Sequence, residues 1–174
     1  MADPRYPVGE FHRKESITDA ERAQLIQQIA EAPAKLRAAV KGLTDTQLDT
    51  PYRDGGWTVR QVAHHLPDSH MNAYIRFKLA LTEQHPTIKP YEQQLWAEMV
   101  DAKTAPVELS LVLLESLHTR WVMLLNATKL SDFARTLNHP ESGDQNLDVV
   151  LQHYAWHGRH HVAHITTLRE RMGW

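Results

Sequence analysis

Apolar residues recur at steps of three and four in four long stretches of this 174-residue chain, and polar breaks with proline or glycine separate the stretches. Such spacing gathers apolar side chains on one face of a helix, and no segment shows a convincing strand pattern. The predicted helices run from Thr18 to Gly42, from Thr58 to about Glu83, from Pro106 to Leu125 and over Leu147–Met172. This pattern predicts an all-α fold, an antiparallel four-helix bundle.

Local signals mark where these helices begin and bend. The first two open on capping boxes, Thr18–Glu21 and Thr58–Gln61, in which each side chain hydrogen-bonds a free backbone amide at the other position. Pro33 and Pro67 lie inside the predicted helices, where a missing backbone donor predicts a kink. A further short helix is expected within Pro90–Asp101.

The amino-terminal segment Asp3–Lys14 has two prolines and a glycine and predicts an extended arm that lies over the bundle. No internal repeat, low-complexity run or domain boundary interrupts the chain. Residues 1–174 are therefore expected to form a single domain that carries this arm.

Composition removes several classes of function. The formal net charge of −2 gives no electrostatic footprint for nucleic acid or an anionic membrane. No apolar run is long enough to span a bilayer and the amino terminus lacks a signal-peptide core, so a cytoplasmic protein is expected. The chain has no cysteine, which excludes disulfides and leaves only nitrogen and oxygen ligands for any metal.

Histidine is the unusual residue in this composition, with 12 copies, and the last predicted helix carries a cluster of them. The cluster comprises His153, His157, His160, His161 and His164. At about 100° per residue, His157 and His161 fall within the apolar stripe, His160 and His164 lie at its edge, and His153 lies well off it. Two imidazoles four residues apart can grip one metal ion, although a surface helix rich in histidine is the alternative.

Histidines on the other helices are candidates for a further ligand. His65 is about a quarter turn from the apolar stripe of its helix, on a line that either borders a cleft or forms a polar flank. His64 projects opposite that stripe and is predicted to be solvated. His118 lies on the stripe of the third long helix, where a hydrogen-bonded core histidine is the expected role.

A bundle builds metal sites from side chains on facing helices. Two histidines from the last helix and one from the second would give a three-histidine site with an open position, as in catalytic rather than closed structural zinc sites. Three neutral imidazoles suit one divalent metal ion per chain. Zinc is the expected ion, and nickel and iron(II) are the alternatives.

Two motifs resemble those of the DinB/YfiT-like superfamily, and the similarity extends over essentially the whole chain. Trp57-Thr58-Val59-Arg60-Gln61-Val62 followed by His65 is similar to the second-helix signature, and His157-x-x-x-His161 to the fourth-helix motif. The opening Arg5–Gly9 and the ending Arg171–Trp174 resemble the YfiT branch, which is classed with metal-dependent hydrolases. Pro67 departs from the expected pattern.

The resemblance implies a dimeric four-helix bundle with one divalent metal, held by His65, His157 and His161. It supplies no general base; Asp68, Arg159 and His118 are candidates for supporting positions. His160 and His164 suit supporting or pocket roles.

Three functions remain open: a metal-dependent hydrolase of a small-molecule substrate, a low-molecular-weight thiol S-transferase of the bacillithiol type, and a bundle that binds metal without catalysis. A groove lined with cation donors beside the metal would favour the thiol reaction. The chain has more large aromatic side chains than one bundle of this size needs in its core, namely Trp96, Trp121 and Trp156. Together with the resemblance, they predict a homodimer.

Overall fold

The computed structural model describes residues 3–174 and contains four long helices. They are α1 (Asp19–Val40), α3 (Val59–Thr82), α6 (Val107–Ala127) and α7 (Leu147–Met172); the short helices are α2 (Asp45–Leu48), α4 (Gln93–Ala97) and α5 (Val100–Thr104). Both predicted capping boxes are present, so the helix starts follow local side-chain chemistry. Pro33 and Pro67 lie within α1 and α3, each of which continues past its proline.

The four-helix bundle that the apolar pattern predicts is confirmed, with two helices running in each direction. Arg22 in the first turns of α1 pairs with Asp148 in the first turn of α7, so these two helices run parallel. Arg37, near the end of α1, pairs with Glu108 at the start of α6, so α1 and α6 run in opposite directions. His64 and His70 of α3 bond Ser110 and His118 of α6 in the same chain order, so α3 runs parallel to α6. Each helix thus has one parallel and one antiparallel neighbour.

A two-stranded antiparallel sheet interrupts the otherwise helical fold, although no strand was expected from the sequence. Its strands, β1 (Thr136–His139) and β2 (Gly143–Asn146), pair across a turn and lead directly into α7. A 3-10 helix over Leu130–Ala134 connects α6 to β1. The strands are too short, and carry too few buried side chains, to give a readable alternation of apolar and polar residues.

The hydrophobic core is divided into two clusters. One surrounds Trp121 and Phe77, and the other surrounds Leu66 and Leu114. Trp121 is fully buried, so it serves the core and no longer supports the predicted dimer interface. Buried histidines from three of the long helices occupy the layer between the two clusters, and the functional site is built there.

The amino-terminal arm lies along α7. The backbone N–H and C=O of Lys14 both bond the Gln152 side chain, at 2.8 and 3.2 Å, and the Trp156 indole donates to the Gly9 carbonyl. Phe11 packs on Trp156. Over the range 3–174, no helix is both long and apolar enough to cross a membrane.

Candidate metal site

Three histidines from two antiparallel helices converge at the centre of the bundle. His65 lies in the second turn of α3, and His157 and His161 lie one turn apart on α7. The Nε2 atom of His157 is 3.3 Å from that of His65 and 3.2 Å from that of His161. Within residues 3–174, these three are the group of histidine and acidic side chains close enough to share one ion.

These separations suit a tetrahedral metal site. Zinc bonds imidazole nitrogen at about 2.0–2.1 Å, so two ligand nitrogens at neighbouring corners of a tetrahedron lie about 3.3 Å apart. Burial lowers the pKa of His65 to about 3, and it holds the pKa values of His157 and His161 well below the ordinary value of 6.5. All three rings are therefore neutral near pH 7, the form in which imidazole binds metal.

A chain of hydrogen bonds fixes the orientation of His157. Its Nδ1 atom lies 3.1 Å from Nε2 of His70, Nδ1 of His70 lies 2.9 Å from Nε2 of His118, and Nδ1 of His118 lies 2.6 Å from the Ile29 carbonyl oxygen. A carbonyl oxygen can only accept, so His118 donates from Nδ1 and accepts at Nε2, since burial lowers its pKa to about 4 and keeps it neutral.

Each neutral imidazole of this hydrogen-bond chain donates from one nitrogen and accepts at the other. His70 donates to His118 from Nδ1 and accepts at Nε2, so His157 must donate from Nδ1. This leaves the Nε2 of His157 as an unprotonated nitrogen that points at the other two histidines. A metal-bound histidine almost always donates its second N–H to a protein acceptor, and here His70 is that acceptor.

A second and shorter chain orients His161 in the same sense. The Nε2 of His164 lies 3.2 Å from the Arg5 carbonyl oxygen and must donate to it, which leaves Nδ1 as the acceptor. The Nδ1 of His161 lies 3.4 Å from that atom and donates to it, a longer and weaker bond. At most one proton, from His65, can therefore lie among the three Nε2 atoms, and this arrangement suits a cation.

A cavity of about 600 Å³ opens beside the three histidines, within the usual size range of small-molecule sites. Aromatic side chains form much of its wall, and His157 and His161 face it. The polar groups on this wall include Arg53, Ser69, Arg76, Tyr91, Tyr154 and His160. The cavity gives a bound molecule access to the point where the three nitrogens meet.

Electrostatics differ between the two ends of the cavity. Arg76 donates from Nη1 to the Tyr154 hydroxyl at 3.1 Å. Burial, and secondarily the positive charge of Arg76, lowers the pKa of His153 to about 4 and also lowers that of His139. The exposed Glu141 acts on His139 in the opposite sense, so the end of the cavity that carries Arg76 also has a carboxylate at its exposed rim.

The structure brings together the three histidines that the resemblance implied. His160 and His164 are buried beside them and line the cavity, as expected of pocket residues. His118 is a hydrogen-bonded core histidine as predicted, whereas the prediction that His64 is solvated is wrong. His64 is buried and bonds the Ser110 hydroxyl at 2.7 Å and the Ala105 carbonyl at 3.0 Å.

Sequence reasoning missed His70, which is completely buried and touches both His118 and His157. A signal for it was present. His70 falls four residues after Leu66 and three before Ala73, on the apolar stripe of α3, where a polar residue requires a buried partner.

Comparisons with known proteins match the whole chain. The family model of the DinB superfamily matches residues 28–165. A relative from Bacillus cereus, provisionally named a metal-dependent hydrolase, is 59% identical over all 174 residues of both proteins, and a relative from Bacillus anthracis with the same name is 58% identical over the same length.

Solved structures agree with the fold. The structure of YfiT from Bacillus subtilis, described as a probable metal-dependent hydrolase with an unusual four-helix bundle topology, has a TM-score of 0.96 and 53% identity over 98% of each chain. A second structure, described as a four-helix bundle protein, has a TM-score of 0.60 and 18% identity over 84% of this chain and 98% of that one, and supports the fold alone.

Proposed function

Because the chain belongs to the DinB superfamily, we propose that it is a metal-dependent hydrolase of small molecules, in which His65, His157 and His161 hold one divalent ion. Zinc is the first candidate for this ion, and nickel and iron(II) also suit three imidazoles. The names of the relatives from Bacillus species point to the same class of reaction.

The observation that carries the proposal is the meeting of three neutral imidazoles, two of which, His157 and His161, line a cavity. In the described part of the chain, no fourth histidine or carboxylate joins this group. Structural zinc sites normally use four protein ligands, whereas catalytic sites use three and keep a position for water or substrate. The three-ligand set and the adjoining cavity thus favour catalysis over a purely structural or storage role.

The protein's own residues supply positioning. His70 and His164 hold the rings of His157 and His161 by hydrogen bonds, so that both Nε2 atoms face the same point. Trp57 packs on His65, with ring centroids 4.6 Å apart, and shields it from solvent on one side. A divalent ion bound there supplies Lewis acidity and lowers the pKa of a coordinated water towards neutrality.

A thiol S-transferase is the second candidate, and one observation favours it. Arg53 and Arg76 both line the cavity, and cation donors beside the metal suit a thiol cofactor that carries carboxylates. In that reaction the ion would hold the thiol as a thiolate. Hydrolysis remains the main proposal because it requires no cofactor besides the metal.

Turnover assays on the metal-loaded protein distinguish these functions. We expect zinc-dependent hydrolysis of generic ester or amide substrates, and loss of this activity in His161→Ala. Zinc-dependent conjugation of a low-molecular-weight thiol to a haloaromatic electrophile, without hydrolysis, would instead support the transferase. If neither reaction depends on the metal, the enzymatic proposal fails.

A further inference from the structure

We propose that the part of the cavity lined by Arg76 and Tyr91 is a subsite for a carboxylate group of the substrate, held by the guanidinium of Arg76 with the hydroxyl of Tyr91. The inference rests on the proposed function, because it names the substrate class of the same cavity. It predicts substrates with a carboxylate at one end and the reacting group at the other.

The first support is the contrast between Arg76 and the other enclosed arginines. Arg22 pairs with Asp19 at 2.6 Å and Asp148 at 2.7 Å. Arg60 likewise has two carboxylate partners, Asp49 at 2.6 Å and Asp45 at 2.8 Å. The fold therefore neutralises these buried guanidinium groups with two acidic side chains each, as the cost of burying an unpaired charge requires.

Arg76 has no such partner. Its one hydrogen bond to another side chain within residues 3–174 is the bond to the Tyr154 hydroxyl, and Tyr154 stays neutral because burial raises its pKa. The Nε atom of Arg76 is buried and makes no hydrogen bond. A guanidinium with a free donor on a cavity wall has the planar fork that binds a carboxylate through two parallel bonds.

Tyr91 provides a second free donor on the same wall. Its hydroxyl oxygen is buried and has no partner in hydrogen-bonding geometry, although Ser69 lies nearby. Burial raises the pKa of Tyr91 to about 12, so the hydroxyl keeps its proton near neutral pH. Two buried donors without acceptors, one of them charged, are a costly arrangement unless an acceptor binds there.

The position of Arg76 relative to the three histidines defines the substrate's shape. Tyr154, which accepts from Arg76, precedes His157 on α7 by three residues, or about 4.5 Å along the helix axis. A carboxylate bound to Arg76 therefore lies on the same wall, about one helical turn along α7 from the three histidines. The aromatic wall, with Trp57 and Trp156, suits an apolar or aromatic group between the two ends.

Three other charged side chains line the cavity: Arg53, Glu92 and Glu141. Glu92 and Glu141 are exposed, and Arg53 donates to the neighbouring carbonyl of Asp54. The two carboxylates are exposed, so solvent weakens their interactions with a ligand. Arg53 is half-buried like Arg76, but its guanidinium already bonds the Tyr52 hydroxyl and the Asp54 carbonyl, whereas Arg76 keeps a buried Nε without a partner.

The test is an NMR titration of the full chain with benzoate and with its uncharged analogue benzamide. Both the metal-free and the zinc-loaded protein are titrated, because a carboxylate can also ligate the metal directly. We expect the metal-free protein to bind benzoate and to bind benzamide at least about 10-fold more weakly, as expected for loss of a charged hydrogen bond.

Three variants locate the binding site. Arg76→Gln should weaken benzoate binding by about 10- to 100-fold and leave benzamide unchanged, and Tyr91→Phe should weaken benzoate by a few-fold. Arg159→Gln is the matched control for net charge: the structure places Arg159, a candidate for a supporting position from the sequence, exposed on α7 outside this cavity, and the variant should bind as the parent does. Circular dichroism checks that each variant is folded.

The proposal is overturned if Arg76→Gln binds benzoate as tightly as the parent, or if benzamide binds as well as benzoate. If Arg76→Gln does not fold, unchanged binding by Tyr91→Phe overturns it. Selective benzoate binding without hydrolysis of any ester would retain the subsite and reject the hydrolase. Zinc-dependent hydrolysis at the same rate with and without a carboxylate on the substrate would retain the hydrolase and reject the subsite.

Discussion

His70 bonds Nδ1 of His157 and thereby determines the protonation of the other ring nitrogen, Nε2. Because the chain from Ile29 through His118 and His70 runs in one direction, it determines which nitrogen of His157 carries the proton. Without it, the His157 ring could rotate or adopt the other tautomer, in which Nε2 is protonated and cannot bind a metal. His70 is thus a positioning residue.

The residue-scale prediction is that His70→Leu weakens zinc binding by about 10- to 100-fold, the usual cost of losing a group that orients a ligand. The measurement is competition with a chromophoric chelator. His64→Leu is the matched control, because His64 is a buried imidazole on the same helix whose ring bonds Ser110 and the Ala105 carbonyl rather than any of the three histidines. Both variants should melt at lower temperature, but equal zinc affinity in the two would contradict the role of His70.

The buried histidines also predict how stability depends on pH. Burial lowers the pKa of His118 from 6.5 to about 4 in the folded state, so the unfolded chain binds the proton more readily. This contribution is fully present above pH 6.5 and is lost progressively as the pH falls towards 4. At pH 5 the loss from His118 alone is about 2 kcal/mol.

The check is the unfolding free energy of the metal-free protein by urea titration at pH 7 and pH 5. We expect it to be lower at pH 5 by at least the amount that His118 contributes, since other buried histidines shift in the same direction. Unchanged stability over this interval would show that the histidine layer is already protonated or hydrated.

At the scale of elements, the amino-terminal arm contributes to the site through its backbone. The Arg5 carbonyl accepts from His164, which in turn orients His161, and Tyr6 lies against His160. We expect a chain that begins at Glu10 to bind zinc more weakly than the parent, because His164 loses its acceptor. Isothermal titration calorimetry measures the difference.

The control for this truncation is Arg5→Ala, which removes the side chain and its ion pair with Asp3 but retains the carbonyl oxygen. This variant should bind zinc as the parent does. Equally weaker binding in Arg5→Ala and in the truncated chain would assign the effect to the side chain rather than to the carbonyl, and normal binding by the truncated chain would contradict the role of the arm.

The elements also show how far the sequence could lead. The i, i+4 pair of α7 is a local pattern, so periodicity could place His157 and His161 on the apolar face of that helix, whereas the choice of His65 as their partner came from the resemblance to the superfamily motif. The partners of His70 and His164 could not be predicted in this way. One is a histidine 48 residues further along the chain and the other a backbone carbonyl 159 residues away. Such contacts depend on how the helices and the arm pack, which no local pattern records.

At the scale of the whole molecule, we predict a homodimer. Trp156 packs against the arm and Trp121 lies in the core. Of the three tryptophans that led to this prediction, only Trp96 is exposed and still supports it. An exposed apolar strip on α6, formed by Leu109, Val112 and Leu113, gives new support. Light scattering at micromolar concentration should give twice the mass of 20.0 kDa, and a monomer would contradict the prediction.

The central claim is that one divalent ion is held by His65, His157 and His161, and bound zinc per chain tests it most directly. After zinc loading and gel filtration, elemental analysis should find one zinc per chain in the parent and in His160→Ala, because the Nδ1 of His160 makes no hydrogen bond that supports the three histidines. His161→Ala should retain almost no zinc and should gain no thermal stability from it. Zinc retained by His161→Ala and lost by His160→Ala would contradict the account.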